Sequence, residues 1–364
     1  MATEIYLGRP PENIVNWIKA EAERKYQEML KTPLTFTAEE AGSTIKMVKS
    51  GSAPTVYLET SYTGEEGSWS DFIVCTKDEN GNSNNDGTII TLTNVGDKVY
   101  FRAKQDNWQF ANVTFEANQF VMTGKIAASG NINTLLKADG SVLDLTGRNY
   151  CYDNMFNGCT SLTQAPELPA TTLATNCYGY MFSNCTSLTQ APELPATTLA
   201  DNCYYSMFGE CTSLTSAPEL PATTLADYCY AAMFYDCSSL TQAPELPVTT
   251  LADYCYQLMF YGCSLTQAPE LPATTLADYC YSMMFYNCSS LTQAPELPAT
   301  TLANYCYDSM FGGCVSLTQA SFPNLEKETV TTEVVESQST FVNAASDIET
   351  TCKDGILIIN STTV

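Results

Sequence analysis

From residue 151 to about residue 325 the chain repeats one pattern of apolar and polar positions seven times. Counting the first cysteine of each copy as position 1, apolar side chains fall at positions 1, 2, 5, 6 and 9, written Cys-Tyr-x-x-Met-Phe-x-x-Cys. Positions 3, 4, 7 and 8 vary between copies and are filled mostly by small or polar residues and tyrosine. The copies start at Cys151, Cys177, Cys203, Cys229, Cys255, Cys280 and Cys306, and every step is 26 residues except the 25 between Cys255 and Cys280. A fixed period of this length marks an architecture in which each unit covers its neighbour. At about 100° per residue the five apolar positions share one arc, so the pattern predicts a short helix with a Cys, Met and aromatic core face. An Asp or Asn two residues ahead of the cysteine, as at Asp253 and Asn304, would cap that helix. The Ser-Leu-Thr-Gln-Ala that follows predicts a strand kept brief by the proline at position 16. The residue missing ahead of Leu265 falls in the turn between the two, where a loop absorbs a deletion.

Upstream the pattern changes twice. In residues 1–31, Pro10-Pro11 opens a helical segment with Ile14, Trp17, Ile18, Ala22, Tyr26, Met29 and Leu30 on one face. Such a stripe must be buried, either on the neighbouring domain or, as a docking helix, on another molecule. Residues 32–123 read as short alternating runs: Leu34–Thr37, Thr44–Val48, Thr55–Thr60, Asp71–Cys75, Thr88–Thr93, Lys98–Ala103, and Val113–Phe115 with Gln119–Met122. They predict a small antiparallel sandwich, immunoglobulin-like in outline, that serves as a spacer. Residues 124–149 lead into the repeats and are expected to cap them, giving one unit over 124–325. Residues 326–364 form an acidic link and a terminal β cap built on Phe341-Val342 and Ile356–Ile359 around Asp354-Gly355. The expected fold class is therefore mixed α and β: N-terminal helix, sandwich, then a solenoid of seven coils with caps at both ends.

Charge narrows the function. The chain has 40 acidic and 16 basic residues and no histidine. This excludes a basic nucleic-acid surface and any histidine-based catalysis or metal ligation. No run is apolar enough to insert in a membrane, and Met1 to Ala20 hold no signal-type stretch, so the chain is expected not to be exported by the ordinary route. Fourteen of the sixteen cysteines belong to the two repeat rows. Their spacing suits zinc poorly; buried thiols and disulfides between adjacent coils both remain open. Residues 149–326 carry fifteen acidic and no basic side chains, among them the file Glu167, Glu193, Glu219, Glu245, Glu270 and Glu296. That file must be solvated or bridged by cations, of which calcium is the one suited to carboxylates, although no loop has calcium-site spacing. No other cofactor or metal is expected, and no catalytic constellation is present.

The candidate binding residues are those that vary between copies while the core stays uniform. Tyr180, Tyr205, Tyr235, Tyr261 and Tyr286, with Asn184 and Asp236, lie at the outward positions. Tyrosine with small polar neighbours is the composition of adaptable binding surfaces. The rival reading is drift at exposed positions. The row Gln164, Gln190, Gln242, Gln267, Gln293 and Gln319 is too uniform to encode a detailed target, though a repetitive glycan would suit it.

The run Phe156-Asn157-Gly158-Cys159-Thr160-Ser161-Leu162 and its six copies resembles the leucine-rich repeats of the BspA type, over about half of the chain. The longer unit and the proline in each strand depart from that type. The resemblance implies a non-enzymatic surface protein that binds host proteins or glycans. Glu4-Ile5-Tyr6-Leu7-Gly8-Arg9-Pro10-Pro11-Glu12-Asn13 and the lead-in Gly124–Leu145 also resemble fibre-type proteins of phages infecting gut Bacteroidales, including crAss-like phages. That second resemblance implies a virion fibre or decoration protein, docked to other virion proteins through Ile14, Trp17, Ile18, Tyr26 and Met29, and a homotrimer. Its location would be the virion; for an adhesin it would be the bacterial cell surface. A cytosolic scaffold is the third alternative.

Overall fold

The computed structural model describes residues 20–21, 24–78, 80–113, 116–317, 320–321, 348–353 and 356–361. Strands β1 (Leu34–Ala38), β2 (Ser43–Lys49), β3 (Leu58–Ser61), β4 (Ser70–Phe72), β5 (Ile90–Leu92), β6 (Lys98–Ala103), β7 (Ala111–Val113), β8 (Glu116–Thr123) and β9 (Ile126–Ser129) fill the first half. β10 (Leu162–Gln164) belongs to the first repeat; β11 (Ala320–Ser321), β12 (Ile348–Lys353) and β13 (Ile356–Ser361) follow the last. One sheet has the order β10-β9-β1-β6-β3-β4, a second β5-β2-β8-β7, and a third β11-β13-β12. Alternating burial along β2 and β6 is what a two-layer β unit requires, and Phe36, Phe101 and Phe120 meet edge-to-face between the layers. β3 starts later than the alternation predicts and β4 ends earlier. Residues 24–30 are helical, with Leu30 buried and Tyr26 and Met29 half-buried. The Leu30 carbonyl accepts from the Asn131 side chain at 2.7 Å. Ile14, Trp17 and Ile18 lie outside the described residues, as do Phe341, Val342 and Gln319.

The repeats are not helical, which corrects the reading of their first nine positions. Their N–H groups alternate between two kinds of partner. Those at odd positions close turns on the carbonyl three residues back, as Met181 to Tyr178 (3.2 Å) and Ser183 to Tyr180 (3.1 Å). Those at even positions reach the next coil, as Tyr178 to Cys203 (3.0 Å), Tyr180 to Tyr205 (2.8 Å) and Phe182 to Met207 (2.9 Å). Each turn places one residue in the left-handed region, at positions 0, 4 and 8 of all seven coils: eighteen non-glycine residues together with Gly158, Gly262 and Gly313. Two residues then point in, two out, and the cycle repeats every four. Over nine residues a period of 4.0 cannot be told from 3.6 by apolar pattern alone. The two patterns diverge only in what each demands of the backbone.

Two further expectations change with it. Asp253 and Asn304 cap no helix; their N–H groups donate to the carboxylates of Asp227 (3.1 Å) and Asp278 (2.9 Å) one coil back. Among the described residues the Ser-Leu-Thr-Gln-Ala segment is a three-residue strand in the first repeat, where β10 runs parallel to β9, and contributes only Ala320, to β11, in the last. Later copies show isolated bridges such as Gln190↔Ser216, because the prolines deny the ladder its donors.

Position 2 tyrosines and position 6 phenylalanines stack in two continuous files, with centroids 5.4–5.9 Å apart from Tyr152 to Tyr307 and from Phe156 to Phe311. Both files extend into the β-rich half. Phe110 stacks on Tyr152 and Phe120 on Phe156, and their N–H groups donate to Cys151 and Met155 as one coil does to the next. One buried apolar cluster therefore runs from Leu34 to Leu317. Hydrogen bonds cross residue 124, where the sequence suggests a joint: Phe120 N–H donates to Met155 and Asn107 N–H to Leu136.

Candidate functional site

The four-residue cycle fixes which side chains can meet a ligand. It sends outward three pairs per coil, at positions −1 and 0, 3 and 4, and 7 and 8. Stacked coils turn these into three parallel stripes along the repeats.

In the first stripe Tyr228, Tyr254, Tyr279 and Tyr305 stack at 4.3, 4.7 and 4.8 Å. In the third, Tyr235, Tyr261 and Tyr286 stack at 4.6 and 5.2 Å. Between them the central stripe is less exposed, with Ala231, Ala232 and Ser282 buried and Leu258 and Met283 half-buried. Nearer the β-rich half the aromatic residues change stripe: Tyr180 and Tyr205 occupy the central one, tilted by 57° at 5.3 Å.

All five candidate tyrosines thus share one face, in two groups. They are half-buried rather than fully solvated, since each ring covers part of the next. Burial pushes the phenols of Tyr180 and Tyr235 above the usual range. Asn184 and Asp236 occupy the left-handed corner of the third stripe, at φ of 58° and 53°. Burial, with Glu210 on the preceding coil, raises the Asp236 carboxyl pKa. The tyrosine file at position 0 escapes the sequence reading, which treats that segment as the approach to a helix. Its signal in the sequence is the recurrence of tyrosine beside aspartate at 227–228, 253–254 and 278–279.

The stripe edge carries a carboxylate ladder. Asp227, Asp253 and Asp278 each accept the backbone N–H of the following coil at 2.9–3.1 Å, which holds them in register beside the tyrosines. The separate glutamate file is solvated from Glu193 to Glu296, with only Glu167 half-buried and its pKa raised by burial. Gln164, Gln190, Gln242, Gln267 and Gln293 are exposed. Among the described residues no group of three or more acidic, Cys or His side chains is placed to hold a metal ion. Among them, too, no helix is long and apolar enough to cross a membrane.

The cysteine rows lie on the other side of the backbone, as free, buried thiols. From Cys185 on, each position 9 sulfur donates to the position 6 carbonyl one coil back, as Cys185 to Phe156 (3.1 Å) and Cys211 to Phe182 (3.0 Å), and Cys159 donates to Phe120 of β8. Burial lifts the pKa of Cys159, Cys177, Cys211, Cys229, Cys280 and Cys314 to about 12. A thiol held protonated in this way is a packing group rather than a nucleophile or ligand.

A family model for the BspA type leucine-rich repeat region matches in six copies, over residues 148–257 and 208–340. The chain belongs to the BspA-type leucine-rich repeat family. The match spans 148–340, more than half of the chain, and includes all seven cysteine-to-cysteine segments. No curated protein and no solved structure matches the chain significantly. Membership agrees with a repeat-based, surface or adhesin-like protein.

Proposed function

We propose that this chain is a non-enzymatic, adhesin-like binding protein: a leucine-rich-repeat solenoid, headed by an immunoglobulin-like unit, that holds a host-surface protein or glycan on its three-stripe face. One observation carries the reading. Inward residues are the same in nearly every coil, whereas outward pairs differ and gather tyrosines into files. Tyrosine supplies rigid contact area at small entropic cost. Within a file the ring faces are covered by neighbouring rings, so a ligand meets hydroxyls, ring edges and the half-buried aliphatic residues between. The surrounding charge, fifteen acidic residues without a basic one over 149–326, favours neutral or cationic target patches. The N-terminal helical segment is the mount in this reading, on a cell surface or on other virion proteins. Gel filtration of the chain with and without residues 1–31 reads out whether an assembly depends on it.

The face is tested by arraying host-surface proteins and glycans against the wild type and a Tyr205→Ser, Tyr235→Ser, Tyr261→Ser variant. A ligand that the wild type binds saturably should be lost by at least about tenfold, the worth of one or two good contacts. The melting temperature should fall by only a few degrees. Unchanged binding would falsify the assignment of the face.

A further inference from the structure

The outward tyrosines of the repeats are placed for a reaction as well as for contact. Five neighbouring pairs lie nearly parallel, none tilted by more than 12°. Tyr228–Tyr254, Tyr254–Tyr279 and Tyr279–Tyr305 stand at 4.3, 4.7 and 4.8 Å, and Tyr235–Tyr261 and Tyr261–Tyr286 at 4.6 and 5.2 Å. Bonds between coils hold that spacing, as Tyr228 N–H donates to Asp253 and Tyr254 N–H to Asp278. The hydroxyls of Tyr228 and Tyr254, and those of Tyr235 and Tyr261, interact, so like ring atoms lie over like. Tyr180 and Tyr205, tilted by 57°, lack that overlap.

These rings are also where a one-electron oxidant can act on the repeats. The three tryptophans, Trp17, Trp69 and Trp108, lie outside the repeats, and the chain has no histidine. The repeat cysteines are buried and protonated, whereas oxidants attack the exposed thiolate. The core tyrosine file is buried as well, with its rings 5.7–5.9 Å apart. The Tyr178 and Tyr230 hydroxyls in that file have no partner to take a proton. The stripe tyrosines are only half-buried, and Tyr305 is 39% exposed.

We infer that the two stripe files are sites of oxidative dityrosine coupling, in which peroxide activated by a peroxidase staples adjacent coils together. Two neighbouring phenols each give up one electron and the hydroxyl proton. The resulting phenoxyl radicals form one bond between ring carbons ortho to oxygen. Each of those carbons then loses its hydrogen as a proton, and each oxygen regains one. Peroxide accepts the two electrons and two protons and leaves as two waters. Holding both partners in place favours coupling within one chain. The net charge of −24 keeps two chains apart and disfavours coupling between them. Each new bond closes a loop one coil long, which restricts the unfolded chain as a disulfide does. The inference concerns the reactivity of the face and does not depend on what the face binds.

The test treats the full chain, dilute and folded, with hydrogen peroxide and a haem peroxidase, and maps cross-linked peptides by mass spectrometry. Dityrosine fluorescence should appear while the protein still runs as a single chain. Peptides should be joined at the five parallel pairs and be lighter by two hydrogens per bond, and the urea midpoint should rise. Tyr254→Phe, whose ring cannot form a phenoxyl radical, should remove the bonds to Tyr228 and Tyr279 and leave Tyr235–Tyr261 and Tyr261–Tyr286. Tyr230→Phe, in the core file, should remove none of the five. Absence of dityrosine, coupling only between chains, bonds mapped to the core file, equal yields of the same bonds in urea, or an unchanged urea midpoint would overturn the inference.

Discussion

At the scale of the residue, the repeats depend on a backbone conformation that most side chains resist. A non-glycine residue in the left-handed region costs on the order of 1 kcal/mol or more, least for Asn and Asp and most for β-branched side chains. Position 8 accordingly reads Gly158, Asn184, Glu210, Asp236, Gly262, Asn287 and Gly313, and no Val, Ile or Thr stands at any of the left-handed positions. This signal is legible in the sequence itself. The apolar arc masks it, because periodicity over nine residues says nothing of which positions tolerate positive φ. The difference is measurable at Ala232, whose φ is 53°. Ala232→Gly should stabilise the protein by about 0.5–1 kcal/mol, read as a raised denaturant midpoint. Were the segment helical, the same change would cost about 1 kcal/mol.

At the scale of the element, the two cysteine rows and the two aromatic files make each coil a slice of one core. The sequence identifies these side chains correctly as core, since identity at a fixed period needs no knowledge of the local backbone. It leaves thiol against disulfide open; the thiol is favoured by a bond that only the fold reveals, from sulfur to the carbonyl one coil back. The files also give the protein a definite alkaline limit. A thiol raised to about 12 in the folded state and near 8.5 when unfolded keeps its proton longer in the fold. Its contribution to stability is therefore whole below about pH 8.5 and is lost as pH rises toward the folded value. Each such thiol removes up to about 1.4 kcal/mol per pH unit in that window. Urea midpoints should be level from pH 6 to 8 and drop steeply above about pH 8.5, with native thiols unlabelled by iodoacetamide until the drop. A midpoint still level at pH 10 would show that the rows are not buried as neutral thiols.

At the scale of the whole molecule, the β-rich half and the repeats share a single core, because Phe110 and Phe120 occupy the places that a preceding coil would fill. Nothing in the sequence signals this: neither residue lies in text resembling the repeat, and only the tertiary arrangement brings β7 and β8 against Cys151–Met155. The candidate face is half legible. Variation between copies picks out Tyr235, Tyr261 and Tyr286, but the companion file from Tyr228 to Tyr305 and the ordering of outward pairs into stripes follow from the turn cycle. Everything proposed for that face rests on the turn cycle, so its hydrogen bonds are the quantity to measure. Through-hydrogen-bond couplings between amide nitrogen and carbonyl carbon identify each acceptor directly in a deuterated sample. A coupling is expected from Phe182 N–H to the carbonyl of Met207, one coil on. A coupling from Phe182 to the carbonyl of Tyr178, four residues back, would restore the helix and dissolve the three stripes.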